Sequence, residues 1–148
     1  MVGRAAMDAP EHSRADHAPY ITAVRRRFEA RDLRVADIAV TVSEDGRREA
    51  TLLLHPDEDA FAERVPGEAS TSWDEENGWS MDVRQESLTS PVHKGLEVAP
   101  EPEDVAAWAV ALLVHPELTP SRDDHPFRDH RVADPIFEVL LTTYRPAG

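Results

Sequence analysis

From Pro19 onward the apolar residues Tyr20, Ile21, Val24 and Phe28 recur at the three- and four-residue spacing of one helix face. Pro19 suits a first helical turn and Arg31 falls where a cation complements the dipole, so the pattern predicts a helix over 19–32. Arg25 and Arg26 point away from its apolar stripe. The period then changes to two. Ile38, Val40 and Val42 alternate with smaller residues, Asp45-Gly46 interrupts, and Ala50, Leu52 and Leu54 alternate again. This predicts an antiparallel hairpin with an aliphatic inner face. His55-Pro56 ends it, and 57–64 reads as a connector of one or two helical turns with Phe61 inward.

Residues 72–81, SWDEENGWSM, carry two of the three tryptophans around three acids and an Asn-Gly pair. Turn length decides which side chains share a face. A two-residue Asn77-Gly78 loop sets Trp73 and Trp79 on opposite faces. A three-residue Glu76-Asn77-Gly78 loop, closed by Gly78 in the left-handed region, pairs Trp73 with Met81 and Glu75 with Trp79. The second register is predicted, because it alone gathers Trp73, Trp79, Met81 and Val83 on one face. Asp74, Ser80 and Asp82 then lie on the other, Glu75 at the rim, and the acids in water. On that reading a change such as Glu76→Ala has little effect on stability.

Leu88, Val92 and Leu96 suggest one more short strand. Beyond it, Pro100 and Pro102 open a helix whose first turn is loaded with Glu101, Glu103 and Asp104 and whose stripe is Val105, Trp108, Ala109 and Leu112. His115-Pro116 stops it. A polar loop over 117–133 leads to Asp134-Pro135, an N-cap with proline in the first turn, and a last helix bearing Phe137, Leu140, Leu141 and Tyr144. The sum is an α+β domain over 18–148: an antiparallel sheet of about four strands in two hairpins, with one N-terminal and two C-terminal helices on one face. Residues 1–17, small, polar and aperiodic, read as a disordered arm.

The length of 148 residues is that of one domain. With no cysteine, disulfides, thiolate metal sites and cysteine nucleophiles are excluded. No apolar run suits a membrane span or a secretory signal, which leaves a cytoplasmic location as the expectation. The net charge of −13 is unevenly spread: residues 1–34 hold seven Arg against five acids, whereas 44–104 hold seventeen acids against five basic residues. Such a field disfavours nucleic acid and anionic lipid, and favours basic partners.

Asp123, Asp124, His125, Asp129 and His130 are the best metal candidates by residue type, although their spacing fixes no common face. Glycines form no phosphate loop and no serine sits in a GxSxG elbow. No catalytic residue and no cofactor are expected.

Two segments, WDExxGW at Trp73 to Trp79 and PxPxxVA at Pro100 to Ala106, with Pro19-Tyr20 opening the first helix, resemble a family of small uncharacterised actinobacterial proteins over about residues 18–115. The resemblance implies no activity and no ligand. It agrees with treating the aromatic hairpin as architecture.

The expected function is therefore non-enzymatic: an accessory or regulatory protein acting through contacts with a protein partner, basic in character, by way of its acidic middle and open sheet face. Alternatives are a metal-dependent hydrolase built on the Asp123 to His130 loop, and a small-ligand binder with a pocket of Trp73, Trp79 and Trp108 flanked by Asp74, Glu75 and Glu76. Oligomeric state is not readable from these patterns.

Overall fold

Period-two burial along the second strand sets the architecture. In the computed structural model, which describes residues 14–57, 68–85, 88–95, 97–115 and 126–144, five antiparallel strands lie side by side in chain order: β1 (Leu33–Val42), β2 (Arg48–Pro56), β3 (Ala69–Asp74), β4 (Gly78–Gln85) and β5 (Leu88–His93). Directly paired residues share a face. The inner face therefore carries Leu33, Val35, Ala50, Leu52, Leu54, Trp73, Trp79 and Met81, all buried. Helices α1 (Ala18–Ala30) and α2 (Pro102–Val114) cover it, and α3 (Pro135–Thr142) lies where Arg48 begins β2. The architecture is α+β, with five strands rather than about four because Leu88–His93 pairs with β4.

Burial on α1 falls on Tyr20, Ile21, Val24 and Phe28, the four positions of the apolar spacing. On α2 the buried residues are Val105, Ala106, Ala109, Leu112 and Leu113, while Trp108 is only half-buried. Asp134 caps α3 by accepting from Phe137 N at 3.1 Å, with Phe137 and Leu141 buried. The first hairpin departs from expectation at its edge. Val40 and Val42 share the inner side of the sheet with Ala50 and Arg48, yet they are 36 % and 59 % exposed. A bulge between Val35 and Asp37 bends this outermost strand, and no described element covers its far end.

The tryptophan hairpin turns one residue earlier than predicted. Trp73 pairs with Trp79, Thr71 with Met81 and Asp74 with Gly78, so the loop is Glu75-Glu76-Asn77. The cause is Asp74, whose Oδ1 accepts from both Glu76 N and Asn77 N at 2.8 Å and closes the bend on itself. The displacement is two positions in register, which leaves facing unchanged. Both indoles and Met81 remain inward; the side chain of Val83 lies outside the described residues, as do Phe61 and Leu96. Gly78 has φ +75°, and a Cβ there would meet the Glu97 carbonyl oxygen at 3.3 Å.

Three motifs noted in the sequence converge on one hydrogen-bonded core. Trp79 Nε1 donates to the Tyr20 hydroxyl at 3.1 Å, that hydroxyl donates to the Pro100 carbonyl at 2.6 Å, and Trp73 Nε1 donates to the Val98 carbonyl at 2.7 Å. The rings of Tyr20 and Phe28 lie 6.4 and 6.2 Å from that of Trp79. Residues 14–17, grouped with the arm on composition, are packed: His17 is buried and stacks on Trp73 at 5.7 Å. Trp79→Ala is expected to cost about 3–5 kcal/mol through the cavity it leaves. Urea denaturation checks this, and a loss below about 1 kcal/mol contradicts the packing described.

Candidate functional site

Arg48 and Glu75 stand on inner-face positions that an apolar pattern would fill with aliphatic residues. Arg48 precedes Ala50, Leu52 and Leu54 at the same two-residue period, and Glu75 follows Trp73 in the same way. Both are buried. This overturns the expectation of a wet Glu75 at the rim: its side chain is 0 % exposed.

The carboxylate is fully engaged. Oε1 accepts from Arg48 Nη2 at 2.8 Å and from Arg128 Nη1 at 2.7 Å, while Oε2 accepts from Arg48 N at 2.6 Å and from the Arg14 guanidinium. Arg48 also forks onto Glu138, with Nη1–Oε1 and Nη2–Oε2 at 2.9 and 2.5 Å, and donates to the Ala15 carbonyl at 2.7 Å. The Phe137 ring lies beneath two of the guanidinium groups, 4.4 Å from Arg128 and 5.4 Å from Arg48. Burial by itself pushes the Glu75 carboxyl up, but the hydrogen bonds from Arg48 and Arg128 outweigh it and hold the group down at about 2. A carboxylate pinned in its ionised form has no proton to give. It is an electrostatic anchor rather than a general acid.

A second cluster joins the hairpin tip to the C-terminal segment. Glu76, expected to be a solvent residue, accepts from His130 N at 2.8 Å and faces His130 Nδ1 at 2.7 Å, and its carbonyl accepts from Phe127 N at 2.6 Å. The other ring nitrogen, Nε2, lies 2.9 Å from the Asp45 carbonyl oxygen. With acceptors facing both ring nitrogens, the arrangement favours the protonated ring. The Glu76 carboxylate on Nδ1 correspondingly raises the His130 pKa, and the His130 backbone N–H, followed by the ring, lowers that of Glu76.

Glu76, Asp129 and His130 place one ligand-type atom each within 4.8 Å of one another. A metal there would compete with contacts these groups already make, the His130 ring with Glu76 and Asp45, and Asp129 with Arg131 through two contacts of 3.0 Å. Of the metal candidates, Asp123, Asp124 and His125 lie outside the described residues. Among the described residues Trp73 and Trp79 are buried in the core and Trp108 is half-buried on α2.

Two surfaces remain. A groove of about 740 Å³ runs between α3 and residues 128–134, with Arg14, His130, Val132, Pro135, Val139 and Thr142 on its walls. The other is the outer face of the sheet, whose central row across the strands reads Ala39, Thr51, Ser72, Ser80 and His93. Acids flank that row: Asp37 and Asp82 are exposed, and Glu49 and Asp74 are half-buried.

The profile of a family of unknown function, DUF6292, matches residues 20–111. The chain belongs to that family. The region matched to DUF6292 holds Tyr20, Arg48, the tryptophan hairpin with Glu75 and Glu76, and most of α2. Arg14, Arg128, His130 and α3 lie outside it, so the ion cluster unites the DUF6292 region with flanking segments. No curated protein and no solved structure matches the chain.

Sequence reasoning missed Arg14, Arg48, Arg128 and Glu138. One signal was present for Arg48: a charge on the apolar parity of a strand requires a buried counter-charge. The other three come from distant segments, and no local spacing reports them.

Glu75→Ala removes the acceptor that Arg14, Arg48 and Arg128 share, leaving Arg48 with Glu138 and Arg128 with Asp134, and is expected to cost about 3–5 kcal/mol by urea denaturation. Because the folded pKa is lowered, the stabilisation from Glu75 ionisation is fully present above the ordinary 4.5 and is lost as pH falls towards about 2; the gap between wild type and Glu75→Gln should close over that interval. His130 has the opposite sign. Its folded pKa is raised, so its contribution is complete below the ordinary 6.5 and is lost as pH rises through the folded value. Melting curves of wild type and His130→Gln should therefore converge at alkaline pH. His17, whose pKa burial lowers, titrates with the reverse effect and cancels in that comparison.

Proposed function

We propose that the protein is a non-enzymatic interaction module that engages a basic protein surface through the outer face of its sheet. The observation that carries this reading is the composition of that face: the small side chains of Ala39, Thr51, Ser72 and Ser80 along its central row, bordered by the exposed carboxylates of Asp37 and Asp82. A flat polar surface with short side chains loses little rotamer entropy on contact, and its carboxylates complement Lys and Arg of a partner. Thr41, Thr51 and the two aspartates at the margins are exposed, whereas the helices occupy the other face. The net charge of −13 extends the attraction beyond the contact and repels nucleic acid and anionic membrane. Two groups suited to acid–base work, Glu75 and His130, are consumed by ion pairs inside the fold, which supports binding over catalysis.

An arginine-rich peptide serves as probe in a titration followed by amide chemical shifts of the full chain. The expected result is a set of shifts confined to Thr51, Ser72, Ser80 and their neighbours, with affinity falling roughly tenfold as salt rises from about 0.05 to about 0.5 M. Asp37→Asn with Asp82→Asn should weaken binding further. Shifts spread evenly over all acidic surfaces, or an affinity indifferent to salt, overturn the reading.

A further inference from the structure

Helix α3 is apolar on two sides. Phe137 and Leu141 face the core, yet Ile136 and Val139, one turn apart on the opposite side, are 83 % and 63 % exposed, and Val132 just before the helix is 62 % exposed. A helix apolar all round ordinarily has a neighbour on each side. Here the second side has none among the described residues, and the ridge of Ile136 and Val139 runs beside the groove of about 740 Å³, whose walls include Val132, Pro135 and Val139.

The charges lining this groove nearly balance. Arg14, Arg128 and Arg131 line it with His130 and three acids, Asp45, Asp134 and Glu138. A chain of net charge −13 thus carries a nearly balanced patch here, and three of its exposed large apolar residues, Val132, Ile136 and Val139, lie in or beside it. Two copies of so acidic a protein repel one another over most of their surfaces. Contact is least opposed where each presents a neutral apolar face.

We propose that this patch is a self-association surface, in which a twofold axis seats the Ile136–Val139 ridge of one copy in the groove beside α3 of the other. A ridge and a groove next to each other on one subunit are what an isologous contact needs, since each copy offers both halves. A short helix and one groove bury less than a standard interface, so the dimer is transient, with a dissociation constant in the micromolar range.

Sedimentation equilibrium of the full chain, over concentrations from about 1 μM to about 1 mM, tests this. The expected result is a monomer–dimer equilibrium that tightens or stays unchanged as salt rises, because screening relieves the repulsion between acidic copies. That salt response is opposite to the one expected for the basic partner on the sheet face, so the two readings fail independently. Ile136→Glu and Val139→Glu should each raise the dissociation constant by at least about tenfold while leaving the melting temperature near that of wild type, since both side chains point outward. A chain that stays monomeric throughout overturns the proposal. So does a dimer that both variants leave intact.

Discussion

A carboxylate taken out of water must be met by opposite charge and by donors for its lone pairs, and Glu75 imposes that requirement on the whole molecule. Its desolvation costs several kcal/mol, which excellent geometry alone can offset. Arg48 meets it from β2 with both guanidinium and backbone N–H, Arg14 from the segment before α1, and Arg128 from the segment before α3. Arg48 then needs a second acid, and Glu138 on α3 supplies it. One buried charge thus sets the positions of four segments far apart in the chain. Such a centre is poor evidence for high stability, since an apolar cluster of equal volume would serve as well. It does set register: a one-residue slip of β2 or β3 would turn Arg48 or Glu75 to the opposite side.

The aromatic core does the corresponding work for the helices. Each indole buries a large apolar body but keeps an N–H that must find an acceptor. Those acceptors are the Tyr20 hydroxyl and the Val98 carbonyl, and the Tyr20 hydroxyl in turn donates to Pro100. The start of α2 is therefore tied to α1 and to the hairpin by polar groups inside an otherwise apolar layer. With Arg48, Glu75 and the tryptophans committed to the covered side, the outer sheet face carries a central row of small residues flanked by acids and by Arg34, Leu53 and His55. The two proposed contact surfaces follow from this division: an acidic one on the sheet, and one along α3 where apolar residues adjoin nearly balanced charges.

Patterns of period 3.6 and 2 located α1, α2, α3 and the two hairpins, because each element buries one face and local spacing records which; the fifth strand, only suggested by Leu88 and Val92, exceeds the expected count of about four. The facing of Trp73 and Trp79 was legible for the same reason, and it survived a two-position displacement of register that Asp74 imposed through its own side chain. The fate of the acids was not legible. Whether a glutamate at a hairpin tip is wet depends on what lies over it, and the groups over Glu75 and Glu76 come from residues 14, 48, 128 and 130.

The sequence by itself determined element type, inner and outer faces, and the absence of thiol chemistry, since these depend on residues adjacent in the chain or on composition alone. Only the tertiary structure decided that Glu75 is a buried anchor for three arginines, that the His130 ring is held between two acceptors, and that Val40, Val42, Ile136 and Val139 remain exposed. Burial, protonation and exposure are set by neighbours across space, and electrostatic energies in a desolvated site change by several kcal/mol with partners that local spacing does not record.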